Sequence, residues 1–129
     1  MELNYAAILI ATVVAFVISS AWYGMLGNRL VRLNEAYANT GSIPAWKVLV
    51  ELVRSLVVAA VLAGLADKIG VDGWIAAATL GLVVWIGFPA IILTGSVVHE
   101  NVPWVLAAIH AGDWLFKLVM IALIVGVWT

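Results

Sequence analysis

Four apolar stretches, each long enough to cross a bilayer, constrain this chain more than any other feature. A hydrocarbon core about 30 Å thick needs on the order of 20 apolar residues per helix. Such stretches cover residues 3–26, 46–66, 74–98 and 105–128 of the 129. Hydrophobic residues make up 66% of the chain, whereas roughly half is usual in a soluble domain even with glycine counted as apolar. Lipid offers no partner to a free N–H or C=O, so each backbone group has to bond within its own helix. The expectation is an all-α, integral membrane four-helix bundle, a single transmembrane domain over residues 1–129. The first stretch has no Lys or Arg before it, exceeds a signal-peptide core in length and lacks a small-x-small cleavage site, so it reads as a retained helix.

The separators carry loop punctuation: Gly41 and Pro44 within residues 27–45, two glycines within 67–73, and Pro103 within 99–104. Trp22, Trp46, Trp74, Trp104 and Trp128 fall near span ends, where an indole keeps its ring among acyl chains and its N–H among headgroups. Trp85 and Trp114 fall inside spans and read as packing residues. Arg29, Arg32 and Lys47 cluster around the first loop while the second holds Lys68 alone. The positive-inside rule then places loops one and three in the cytoplasm and both termini outside. In loop one, Leu30, Leu33 and Tyr37 recur at helical spacing, with Arg29, Arg32 and Glu35 on another face. A short interfacial helix and a solvated connector are both open readings there. Ala7, Ala11, Ala15 and Ser19 form a ridge of small residues, and Ala60 with Gly64, Ala77 with Gly81 and Ala108 with Gly112 offer similar seams for close packing.

Charged residues are only 10% of the chain and the net charge is -1, so the basic field that nucleic-acid binding requires is missing. With no cysteine, disulfides, thiolate metal sites and cysteine nucleophiles are excluded. The informative groups are those inside the spans. At about 1.5 Å per residue, Glu51 lies roughly 7 Å and Arg54 roughly 12 Å beyond Trp46, and His110 roughly 9 Å and Asp113 roughly 13 Å beyond Trp104. These depths pair Glu51 with His110 and Arg54 with Asp113. Lys117, deeper still, stands at i+4 from Asp113 in the favourable acid-then-base order. Ser55 shares the face of Glu51 and Arg54, and Tyr23 and Ser19 come from the end of the first span. The outer halves of spans two and four hold no ionisable side chain. The expectation is a polar vestibule of Glu51, Arg54, Ser55, His110, Asp113, Lys117 and Tyr23 on the side of loops one and three, below a dry, close-packed outer half. Pro89 should bend the third span by freeing the carbonyl of Trp85.

A charge near the bilayer centre costs a few kcal/mol on insertion scales and by default marks function. Glu51, Arg54, Asp113 and Lys117 also sum to zero, as a structural ion-pair network would. His110 is the one group here whose unperturbed pKa lies near neutrality, which suits proton coupling. A metal site would have to draw on His99, Glu100, His110 and Asp113, without an HExxH or cysteine pair and with Arg54 and Lys117 repelling the cation. Ser55 and Ser96 lack a GxSxG elbow. Neither an enzyme nor a cofactor is therefore expected.

Ala21-Trp22-Tyr23-Gly24-Met25-Leu26, then Arg32-Leu33-Asn34, and later Ala111-Gly112-Asp113-Trp114 with Gly126 resemble the prokaryotic membrane family catalogued as domain of unknown function 1761. The similarity spans nearly the whole chain. Met25 stands where that family usually has proline, and Asp113 where it often has an aromatic. The resemblance implies a prokaryotic plasma (inner) membrane location and four helices with a longer first loop, and it carries no activity. Two functions follow from the residues: a homo-oligomer that binds or passes a small polar solute or proton, or a non-transporting accessory subunit whose ion pairs fix helix packing.

Overall fold

The computed structural model describes residues 3–33 and 44–128, and these are helical almost throughout. α1 spans Tyr5–Met25, α2 Gly27–Leu33, α3 Ala45–Ile69, α4 Trp74–Trp85, α5 Ile91–Glu100 and α6 Trp104–Val127. Ile86–Ala90, wound as a π-helix, joins α4 to α5 into one long span. Among the described residues four helices are thus long and apolar enough to cross a bilayer, and large side chains such as Val57, Val61, Ile75 and Phe88 stay exposed along them. The chain is a multi-pass membrane protein.

Local chemistry sets the ends. Asn4 caps α1, its side chain accepting from the Ala7 N–H at 3.1 Å. α3 runs to Ile69, three residues past the end of its apolar run at Ala66, because its stop is conformational rather than hydropathic. Gly70 takes φ 77°, and the Val71 and Gly70 N–H groups close onto the carbonyls of Ala66 and Asp67, the pattern that satisfies a helix C-terminus. α5 likewise takes in His99 and Glu100 before Asn101 turns left-handed at φ 57°. At Pro89 the ring would clash with the carbonyl four residues back, and the helix accommodates it by widening its turn.

α6 is the hub. It packs against α1, α3 and α4, and α1 also packs on α3. Ala7, Ala11, Ala15, Ala59, Leu62, Leu118, Ile121 and Val125 form the principal buried cluster. The small-residue ridge of α1 is therefore what admits its neighbours. On α3 the buried small residues are Ala59, Ala63 and Ala66 rather than Ala60 and Gly64, and a Cβ at Gly64 would meet nothing within 4 Å. Gly81 and Gly126 mark the closest approaches of α4 and α6: a Cβ at Gly81 would lie 2.8 Å from the Leu118 carbonyl oxygen, and one at Gly126 2.9 Å from the Ala77 Cβ. Four hydroxyls along the spans are satisfied locally, Thr12, Thr79, Thr94 and Ser96 each donating to the carbonyl four residues back.

α2 does more than lie at the surface. Leu30 is fully buried against Leu106 and Ile109 at the start of α6, with Leu26 and Leu33 beside it, while Arg29 and Arg32 are exposed. Glu35 and Tyr37, expected on the same short helix, lie outside the described residues.

Candidate functional site

α6 carries a ladder of polar side chains, each held by a partner that the antiparallel α1 supplies or by its own helix. Nearest the α2 side, the Tyr23 hydroxyl and His110 Nδ1 are 2.6 Å apart. One turn deeper, the Ser19 hydroxyl donates to Asp113 Oδ1 at 2.7 Å. The other carboxylate oxygen of Asp113 meets Lys117 Nζ at 2.9 Å, and these two side chains are only 2% and 8% exposed. Lys117 also sits 3.9 Å above the centre of the Trp114 ring, a cation–π contact strengthened by exclusion of water. Trp22 and Trp85 brace the ladder by donating their indole N–H groups, each at 2.8 Å, to the carbonyls of Ile109 and Ala111.

The expected layers of Glu51 beside His110 and Arg54 beside Asp113 do not form as pairs. Arg54 pairs with Glu51 on its own helix, and these side chains are 56% and 44% exposed. Acid and base three or four residues apart meet on one helix face without any interhelical adjustment. The hydroxyls of α1, meanwhile, occupy the positions beside Asp113 and His110. The sequence places Ser19 and Tyr23 at this end of the first span, but matching depths on α3 and α6 do not show that these hydroxyls, rather than Arg54 and Glu51, face Asp113 and His110.

Glu51, Arg54, Ser55 and Lys117 nonetheless line one cleft between α3 and α6, with Trp114 and Ile121. Its free volume is about 10 Å³, room for about one water molecule. The cleft is a narrow seam rather than an open chamber. Tyr23 and His110 lie outside it, and Asp113 adjoins it through Lys117. His99 and Glu100 are exposed at the end of α5, and among the described residues no three His, Cys, Asp or Glu side chains are grouped to hold a metal.

The larger opening lies at the opposite end, where a dry, close-packed half was expected. A cavity of about 370 Å³ is bounded by Asn4 before α1, by Ala63, Asp67 and Val71 around the end of α3, and by Val125 and Trp128 around the end of α6. It forms because three helices end there and no side chain among the lining residues fills the space between them. Hydropathy could not show it, since the lining is mostly the same apolar sequence that packs solidly one turn away. The legible signal was Asp67, a carboxylate in the last turn of a helix, where the helix dipole favours a cation.

Trp22 was expected in the interfacial belt, yet its ring lies against Gly112, where a Cβ would come within 2.6 Å of it. The Gly112 backbone is therefore the seat of an indole rather than of a neighbouring backbone, and Ala108 is exposed.

No curated protein and no solved structure matches the chain. A family model, described as a protein of unknown function (DUF1761), matches residues 6–126, a region that takes in every span, the polar ladder and most of both openings. The chain belongs to that family.

Proposed function

We propose that this protein passes a small polar or ionic solute, with protons as a candidate co-substrate, along the seam between α3 and α6. The carrying observation is the thinness of the barrier between the two openings. The inner cleft ends at Ile121 and the outer cavity begins at Val125, four residues on along α6, a separation of about 6 Å. Leu62, Ile121 and Ala11, all in the buried apolar cluster, occupy that level. A modest shift of α3 against α6 would join the openings. The cleft supplies Arg54, Glu51, Ser55 and Lys117 for a charged or hydrogen-bonding solute, and Tyr23 with His110 supplies groups able to relay a proton on the α2 side.

The reading includes a prokaryotic inner-membrane location with both termini outside, supported by the arginines around the first loop. It also includes a homo-oligomer. An ion pair about half exposed on α3, roughly 7 to 12 Å along the helix from Trp46, is costly against lipid, so a second copy or water covers it.

A second reading, a non-transporting accessory subunit, is favoured by one observation: both ion pairs inside the spans, Glu51 with Arg54 and Asp113 with Lys117, form within a single helix. Among the described residues no buried side-chain donor or acceptor lacks a partner. Reconstitution into liposomes loaded with a pH-sensitive dye, under imposed gradients of a panel of small ions, separates the two. The double variant Glu51→Gln/Asp113→Asn abolishes flux in the transport reading and only lowers the unfolding temperature in the accessory one.

A further inference from the structure

We propose that the outer cavity is a binding site for an organic ammonium group, held by the Asp67 carboxylate. The proposal deepens the transport reading by naming the chemistry of the occupant, yet binding at this site does not itself require passage.

Three features select that chemistry. The first is charge. Asp67 is the ionisable residue among those lining the cavity, and no side-chain partner engages its carboxylate among the described residues. The C-terminal ends of α3 and α6 converge on the same space, with Asp67 and Gly70 from one and Val125, Gly126 and Trp128 from the other. The aligned backbone dipoles place about half a negative charge at a helix C-terminus, although at α3 the Ala66 and Asp67 carbonyls already accept from Val71 and Gly70 and after α6 the Trp128 carbonyl accepts from Asn4. The positive end of α1 reaches the cavity too, but Asn4 caps it with a side-chain oxygen. The potential inside is therefore negative, and an anion is disfavoured.

The second is the wall. Ala63, Val71 and Val125 present an apolar lining beside that carboxylate. A hard dication requires six or more oxygen ligands and would find one carboxylate here. A small alkali ion keeps its hydration shell in an opening of this volume and gains nothing from the apolar part of the wall. An ammonium bearing carbon substituents is weakly hydrated, and it gains from apolar contact and a single counter-charge together. Trp128 is the aromatic residue of the lining, and an indole is the side chain best suited to attract such a cation.

The third is size and place. A cavity of about 370 Å³ falls in the range of small-molecule sites, about 300–1,000 Å³, and exceeds what a proton or a single water needs. It opens at span ends, at the level of lipid headgroups. The ammonium is thus available from two sources, a free organic cation or the amine headgroup of a phospholipid.

Calorimetric titration of the full-length protein in a non-ionic detergent tests the proposal, with choline as probe and glycerol and acetate as neutral and anionic controls. Saturable choline binding is expected, with neither control binding. Asp67→Asn, an isosteric change at an exposed helix end, should weaken choline at least tenfold, Asp67→Glu should restore most of the affinity, and Trp128→Leu should weaken it severalfold. The same titration in nanodiscs of phosphatidylglycerol, with and without phosphatidylethanolamine, identifies the source. Competition by phosphatidylethanolamine marks the lipid headgroup as occupant, and equal affinity in both marks a free cation. Absence of choline binding, unchanged affinity in Asp67→Asn, or equal binding of glycerol or acetate would overturn the proposal. Choline binding without liposome flux leaves the site standing and removes the transport reading, whereas flux without choline binding does the reverse.

Discussion

Lys117 and Asp113 form a buried ion pair on one helix, 2.9 Å apart, and the second carboxylate oxygen is taken by Ser19 from α1. The pair lies near the middle of the hub helix, which touches all the other spans and is the most buried of the four. Removing one partner strands the other in a low-dielectric site, at a cost of about 3–5 kcal/mol, whereas replacing both by apolar residues of similar size is often neutral or stabilising. Lys117→Met should therefore unfold far more readily than the double variant Lys117→Met/Asp113→Leu, measured by SDS titration in mixed micelles. A double variant as weak as the single one would show that the pair stabilises the bundle by more than mutual neutralisation.

Ser19 reaches across from α1 to the same carboxylate, and a hydrogen bond to a charged group contributes about 1.5–3 kcal/mol net. Ser19→Ala should cost an amount in that range, and the cost should largely vanish in the Lys117→Met/Asp113→Leu background, because the acceptor is gone. Equal losses in both backgrounds would mean that Ser19 acts through packing against α6.

Backbone proximity makes two glycines differ in sign. At Gly81 a Cβ would stand 2.8 Å from both the Leu118 carbonyl oxygen and the Val119 Cα, backbone atoms that cannot rotate away. Gly81→Ala should cost about 1–3 kcal/mol through overpacking of α4 on α6. At Gly64 a Cβ meets nothing within 4 Å, so Gly64→Ala should be neutral or gain up to about 1 kcal/mol of helix propensity. Unfolding measured side by side should show opposite signs. A destabilising Gly64→Ala, with loss of a cross-linked dimer, would instead place that glycine against a second copy.

The contrast between these glycines shows what a sequence of this kind does and does not disclose. Lipid selects on length and apolarity, so the four spans were readable to within a few residues. The residual errors fall at Ile69 and Glu100, where Gly70 and Asn101 in left-handed conformation end the helices regardless of polarity. Depth along a helix is readable only in part: Glu51, Arg54, Ser55 and Lys117 line one cleft, whereas Tyr23, His110 and Asp113 of the same expected vestibule do not line it. Azimuth between helices is not readable. Whether Asp113 faces Arg54 or Ser19 depends on which helix lies beside α6, and periodicity within one helix carries no such information. For the same reason the sequence shows of the outer cavity only its carboxylate, Asp67: space between helix ends is a property of the assembly.

Tyr23 and His110 offer a test that does not depend on transport. A phenol is a stronger donor than an imidazole N–H, so at 2.6 Å the hydroxyl should donate to Nδ1 and hold the neutral ring as its Nε2–H tautomer. Nitrogen NMR of histidine-labelled protein should show that tautomer dominant for His110 at neutral pH, and Tyr23→Phe should remove the preference. A dominant Nδ1–H form would reverse the direction of the hydrogen bond and with it the route by which Tyr23 could relay a proton.

Ile121 is where the transport reading is most exposed to failure. Its side chain closes the top of the inner cleft and belongs to the buried cluster below the outer cavity, so its volume sets the thickness of the barrier. Ile121→Ala removes about three carbons from a site lined by Leu62 and Ala11, at a stability cost of about 2–5 kcal/mol. In liposomes it should raise the passive leak of small ions severalfold over the parent protein. Ile121→Val, costing about 0.5–1.5 kcal/mol, should raise it less and controls for general loosening. If Gly81→Ala, which destabilises a different seam, leaks as much as Ile121→Ala, the leak reports instability rather than a thinned barrier. If Ile121→Ala remains as tight as the parent, the two openings are not stages of one path, and the accessory-subunit reading is the one that the intrahelical ion pairs support.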